Sequence, residues 1–200
     1  MVDVYTIEGS LIAKAHACVA AIVLPGDRVV DATLGNGHDA LFLARCVGEY
    51  GKVIGFDVQR AAIDSSRQRL TESGINDAVY ELHLASHSEL SKHVSGELSA
   101  VMFNLGYLPG GDKTQITQVD STLKALGDAL VKLKQGGLLT VMCYPGHAGG
   151  DDEADAVKSF FTDPPHAVGL GFDCRVSLYQ RDGAVATTPF LLVAQKAVGS

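Results

Sequence analysis

Apolar and β-branched residues gather in short runs along this chain, and between the runs they return every third or fourth position. The runs at Arg28–Thr33, Lys52–Asp57, Ala78–Leu84, Ala100–Leu105, Gly137–Tyr144, Phe172–Gln180 and Pro189–Gln195 have the length and content of strands. Leu123, Leu126, Leu130 and Leu133 share one face of a helix expected to end at Gln135-Gly136-Gly137. Further helices are expected near Thr6–Val23, His38–Val47, Arg60–Ser73, Ser86–His93 and Asp151–Phe161. Strands alternating with helices predict a parallel sheet covered on both faces. No helical segment parts the last two strands, and Arg181-Asp182-Gly183-Ala184 has the residues of a hairpin turn. The expected architecture is α/β: a seven-stranded, mostly parallel sheet, helices on both faces, closed by a C-terminal antiparallel hairpin.

The 200 residues carry no Ser/Gly-rich linker, repeat or charge block, so one domain over 1–200 is expected. The apolar stretch Leu11–Leu24 is preceded by Asp3 and Glu8 and interrupted by Lys14 and His16, unlike a secretory signal. No run approaches a membrane span. Cys18, Cys46, Cys143 and Cys174 stand far apart without zinc spacing, which fits reduced thiols and a cytoplasmic location with no metal site. The formal net charge of −7 opposes broad electrostatic capture of nucleic acid, so RNA contact requires a local basic patch.

Candidate chemistry concentrates at Val29-Val30-Asp31-Ala32-Thr33-Leu34-Gly35-Asn36-Gly37-His38-Asp39, which reads as strand, glycine turn and helix start. Gly35 and Gly37 allow positive φ and close approach of a ligand to backbone, and free N–H groups of the following helix point the same way. Gly35-x-Gly37-x-x-Ala40, with Asp57 further on, also satisfies a dinucleotide fingerprint. Charge separates the two readings. Asp31 and Asp39 beside the turn would repel a pyrophosphate, whereas the ammonium and sulfonium of S-adenosylmethionine suit them. A glycine turn with Asp39 as a mere cap is the structural alternative.

Asp57 ends its strand where an acceptor can take both ribose hydroxyls of an adenosine; otherwise it caps the helix near Arg60. Ser86 and His87 follow the third strand, where an adenine edge would lie, or serve as caps. Phe103-Asn104-Leu105-Gly106-Tyr107-Leu108-Pro109-Gly110-Gly111-Asp112-Lys113 leaves the fourth strand at the same edge and leaves room for a flat substrate beside Tyr107. Asn104 can accept from an amine nucleophile, and it resembles the first residue of the N-P-P-Y motif of amino-methylating enzymes. After the fifth strand, His147 is a substrate contact, a base or a structural hydrogen-bonder. His16, His83, His93 and His166 fit no such constellation, although His16 is near enough in sequence to the first expected strand to reach the crevice.

Five helix-linked strands and a hairpin match the Rossmann-like layout of class I methyltransferases. The motifs at 31–39, 55–59 (G-F-D-V-Q), 86–87, 103–113, 146–150 (G-H-A-G-G) and 188–196 (T-P-F-L-L-V-A-Q-K) resemble the YtqB/MnmM family across nearly the whole chain. The resemblance implies a class I fold and S-adenosylmethionine-dependent methylation of the aminomethyl group on the wobble uridine of tRNA, with the anticodon stem-loop as partner. It implies a donor site formed from Asp31, Gly35, Asn36, Gly37, Asp57 and Gln59, to which their positions along the chain add Thr33, Asp39, Ser86, His87 and Asn104. Tyr107, Pro109 and Lys113 would contact the accepting base, and Asn104, Asp112 and His147 would serve catalysis.

The chain departs from the family at Gln115-Ile116-Thr117-Gln118, where relatives have T-T, and at Pro145, where they have His. Alternatives are another RNA substrate such as rRNA, an NAD-dependent oxidoreductase, or a non-catalytic RNA-binding module. Arg60, Arg67, Arg69, Lys113, Lys124, Lys132 and Lys134 are the cations available to RNA, and a homodimer would widen that surface.

Overall fold

The computed structural model describes residues 2–106, 117–146, 149–162 and 173–198. In chain order the elements are β1 Val2–Ile7, α1 Leu11–Ala20, β2 Arg28–Asp31, α2 His38–Val47, β3 Lys52–Asp57, α3 Arg60–Glu72, β4 Tyr80–Leu84, α4 Leu90–His93, β5 Leu98–Asn104, α5 Val119–Lys132, β6 Leu133–Cys143, α6 Gly150–Thr162, β7 Cys174–Arg181 and β8 Phe190–Lys196. They build one eight-stranded sheet, ordered β1-β7-β8-β6-β5-β2-β3-β4. All neighbours are parallel except β6/β8 and β7/β8, so β8 alone is reversed, inserted between β6 and β7. The α/β class and the terminal antiparallel pair hold as expected.

The count of seven strands is corrected to eight. The segment expected to open a helix at Thr6 is split: Val2–Ile7 pairs in parallel with β7, and Ser10, whose hydroxyl accepts from the Ala13 N–H at 3.3 Å, starts α1. Val, Tyr, Thr and Ile dominate β1 and favour the pleated surface, and Gly9 at φ 92° breaks it from the helix. A second boundary also moves. α5 stops at Lys132, and Gln135-Gly136-Gly137 lies in an irregular stretch of β6, where the β5/β6 register slips between Leu98↔Leu133 and Ala100↔Leu138.

Alternate residues of the central strands feed two cores. Val29, Val53, Ala100 and Met102 pack with Leu43 of α2, Ile63 of α3 and Val19 of α1 on one face. Val30, Ile54, Val101 and Phe103 pack with Leu126 and Leu130 of α5 and Val157 of α6 on the other. Strands buried on both faces explain the near-continuous apolar runs. Winding reverses between β2 and β5, and at that switch the loops leaving their carboxyl ends diverge and open a crevice. Among the described residues, no helix is long and apolar enough to cross a membrane.

Candidate functional site

The crevice at the switch holds a cavity of about 1190 Å³, lined from β2 round to β6 by residues including Thr33, Gly35, Asn36, Asp39, Asp57, Gln59, Ser86, His87 and Asn104. It is larger than the common range of small-molecule sites, roughly 300–1000 Å³, and so has room for a nucleoside cofactor and a second flat group. Of the expected donor residues, Asp31 and Gly37 lie under the lining rather than in it.

The glycine turn is held by its surroundings. Gly35 sits at φ 50° and Gly37 at φ 74°. A Cβ at Gly37 would stand 2.7 Å from Ser66 Cα, so only glycine lets α3 approach the turn this closely. Ser66 Oγ donates to the Gly35 carbonyl at 3.2 Å, and Arg69 Nε to the Asn36 carbonyl at 2.6 Å. Leu34 fills the space that a side chain at Gly55 of β3 would need. Asp57 accepts from the Gly35 N–H through Oδ2 at 3.0 Å and from the Gln59 N–H through Oδ1 at 2.9 Å. The N-cap of α3 is Gln59, so Asp57 ties two turns together at the cavity wall and does not cap that helix.

Asp31 is wholly buried. One oxygen accepts from the Thr33 N–H at 3.2 Å, and the Ala40 backbone in the first turn of α2 also favours the charged carboxyl group. Its Oδ2 has no hydrogen-bond partner among the described residues. Burial first, then the neighbouring Asp39 and Asp57 charges, raise its affinity for a proton well above the ordinary carboxylate range, with the Thr33 and Ala40 backbone opposing. Asp39 Oδ1 lies 2.7 Å from His16 Nε2, and His16 stacks on Phe42 at 3.9 Å between ring centroids. No lysine or arginine stands among the described lining residues. Asp39 and Asp57 on the wall of a largely apolar cavity, with Asp31 buried behind them, fit a cationic ligand and disfavour a pyrophosphate.

Across the crevice, the Asn104 N–H donates to Thr33 Oγ1 at 2.7 Å, so the end of β5 is pinned to the glycine turn. Ser86 caps a single 3-10 turn, His87–Glu89, by accepting from the Ser88 N–H at 3.2 Å, which realises its capping alternative while it also lines the cavity. His87 is buried against Phe103, beside the Ala32 backbone; burial lowers its pKa to about 4, so it is neutral near pH 7.

Tyr107, Pro109, Asp112, Lys113 and His147 lie outside the described residues. Lys124 pairs with Asp128, Lys134 with Asp27, and none of the described cations expected for RNA lines the cavity. Sequence reasoning missed His38, Thr117, Gln118, Asp120, Ser121 and Tyr144, all of which line it, while His16, outside the expected constellation but near enough to reach the crevice, does line it. The signal for His16 was its i, i+4 spacing from Ile12, which puts both on one flank of α1.

The family model described as "Putative rRNA methylase" matches residues 53–171, more than half of the chain. The chain belongs to this family. Its members are S-adenosylmethionine-dependent methyltransferases of class I fold, so the resemblance carried by the sequence motifs is borne out. A model for protein-L-isoaspartate(D-aspartate) O-methyltransferase matches residues 3–88, the part holding the glycine turn and Asp57. A solved structure described as a putative rRNA-methylase from Clostridium thermocellum is 35% identical, with a TM-score of 0.87, covering 96% of this chain and 100% of that one. A structure described as a putative methyltransferase from Streptococcus mutans in complex with SAH is 34% identical with a TM-score of 0.83, covering 95% of this chain and 99% of that one. Among curated proteins, the chloroplastic tRNA (mnm(5)s(2)U34)-methyltransferase of Arabidopsis thaliana is 38% identical over 155 residues, 73% of this chain and 57% of that protein. A 23S rRNA (uracil(1939)-C(5))-methyltransferase of Psychrobacter arcticus is 27% identical over 148 residues, 66% of this chain and 29% of that protein. The alignments therefore span little more than half, or less, of these two curated relatives.

Proposed function

We propose that this rRNA methylase family member methylates the primary amine of the 5-aminomethyl group on the wobble uridine of tRNA. The observation that carries the reading is the joint at Thr33–Asn104: the residue suited to hold an amine is fastened by its own N–H to the turn that would hold the methyl donor. The relationship to the chloroplastic tRNA enzyme supports the substrate. C5 methylation of uracil, the chemistry of the rRNA enzyme among the relatives, needs a nucleophile to add to the ring first. None of the four cysteines lines the cavity, and burial pushes the Cys143 thiol pKa upward, away from thiolate character.

When bound, S-adenosylmethionine supplies an activated methyl group on a sulfonium. Asp57 would accept from the ribose hydroxyls with the lone pairs its two N–H partners leave over. Asp39 would offset the cofactor's positive charge, a nearby cation would favour the charged form of Asp31 buried behind it, and the apolar lining from Ala32, Leu34 and Phe56 excludes water. Asn104 would accept from an amine N–H and aim the nitrogen lone pair inward. Such positioning is worth up to about 7–11 kcal/mol in well-oriented reactions. The amine proton would leave to water, Asp112 or His147; His16, held by Asp39, is a further acceptor on the described wall.

Mass spectrometry of nucleosides from tRNA bearing aminomethyluridine, incubated with enzyme and labelled S-adenosylmethionine, tests the reading. The expected product is labelled methylaminomethyluridine at the wobble position. Label on rRNA alone, or on a uracil carbon, would overturn it.

A further inference from the structure

One buried carboxylate has no part in the function proposed above. Glu153, in the first turn of α6, is only 4% exposed. Its oxygens accept from two hydroxyls, those of Thr117 and of Thr122, the latter at 2.7 Å. No lysine or arginine forms an ion pair with it among the described residues. Burying a carboxylate is costly unless its lone pairs are met, and a carboxylate can only accept, so the direction of both hydroxyl hydrogens is imposed.

That constraint propagates. With its hydrogen committed to Glu153, Thr117 Oγ1 offers a lone pair to the Gly106 N–H at 3.1 Å, while the Thr117 N–H donates to the Gly106 carbonyl, also at 3.1 Å. The end of β5 and the approach to α5 are thereby closed against each other, and Gly106, Thr117 and Gln118 all line the cavity. Thr122 in α5 lies 3.5 Å from His87 Nε2, and His87, like Ala32 just after β2, lines the cavity. Glu153 itself does not line the cavity.

We propose that Glu153 is a positioning residue for the acceptor side: through Thr117 and Thr122 it sets where the wall that follows Asn104 stands relative to the donor turn. This rests on reading the Asn104–Lys113 stretch as the acceptor segment.

The test compares wild type with Glu153→Gln, with Thr117→Val, which keeps the shape but not the hydroxyl, and with Thr117→Ser, which keeps the hydroxyl. Glu153→Gln and Thr117→Val should lower kcat/KM for tRNA by about tenfold to a hundredfold, the size of effect a misplacement near 1 Å produces. Affinity for S-adenosylhomocysteine should stay within about twofold, and Thr117→Ser should recover most of the loss. Hydrogen exchange gives a readout independent of substrate: the Gly106 and Thr117 amides should exchange faster in Glu153→Gln and Thr117→Val, with the Gly35 amide unchanged. Unaltered exchange at Gly106 and Thr117 would overturn the proposal, as would a loss of S-adenosylhomocysteine affinity in parallel with activity. If wild type leaves tRNA unmethylated, the functional reading fails alone, and the exchange comparison still decides the role of Glu153. If Glu153→Gln does not fold, the Thr117 pair carries the same comparison.

Discussion

The two walls of the cavity are tied together over different lengths of chain. On the β2–β3 side every bond stays inside residues 31–69: Asp31 to Thr33 and Asp57 to Gln59 span two residues each, Gly35 to Asp57 spans 22, Ser66 to Gly35 spans 31 and Arg69 to Asn36 spans 33. On the β5–β6 side, Thr33 reaches Asn104 across 71 residues, Thr117 reaches Glu153 across 36, and Thr122 reaches His87 across 35. The donor wall is close to a property of one β-α-β segment, whereas the acceptor wall exists only once the sheet is complete. The local wall is damaged by changes within its own segment, whereas the distributed wall can be displaced through a residue far along the chain that never touches substrate.

The largest break should come from Gly37→Ala. At φ 74° and with Ser66 Cα 2.7 Å from the new Cβ, the change combines backbone strain with overpacking. It should cost about 3 kcal/mol or more of stability, seen as a lower urea midpoint, and should abolish donor binding. Next comes the seam between the walls, at His87. Burial holds its pKa at about 4, against the ordinary 6.5 of an unfolded chain. Below pH 6.5 the unfolded chain takes up a proton that folded His87 refuses, so this contribution to stability is complete above that pH and is lost as pH falls toward 4. The loss is up to about 3 kcal/mol. Urea titrations of wild type and His87→Gln over that window should show a steeper decline in wild type; parallel curves would place the acid sensitivity elsewhere.

The same contrast explains what could be read from the chain. The β2 turn was legible because glycines and acids sit within nine positions, 31–39, and each does its work near its place in sequence. Asn104 was legible because it directly follows the apolar run Ala100–Phe103 at the end of β5. Glu153 was not, since in sequence it is one acid in Asp151-Asp152-Glu153, and nothing there separates the buried carboxylate from its exposed neighbours. Thr117 and Thr122 carry no motif either, because their role is to face residues brought near by folding. The edge strand β1 was missed for a different reason. Four of its six residues are exposed, so no buried face imposes an alternating pattern, and its apolar content merged with that of α1. The end of α5 was misplaced because Leu133, in helical register with Leu126 and Leu130, is buried equally well as the first residue of β6.

The central claim is that the local wall holds a cationic methyl donor while the distributed wall presents the acceptor. Its most direct test is a calorimetric titration of wild type, Asp57→Ala and Asn104→Ala with S-adenosylhomocysteine and with NADH, with methyl transfer to tRNA followed on the same samples. The account predicts binding of S-adenosylhomocysteine and no heat from NADH. It further predicts weakening of that binding by about 1.5–3 kcal/mol in Asp57→Ala, and, in Asn104→Ala, binding within about twofold of wild type alongside turnover lowered by about tenfold to a hundredfold. Binding of NADH with indifference to S-adenosylhomocysteine would contradict it, and so would equal loss of donor affinity in both variants.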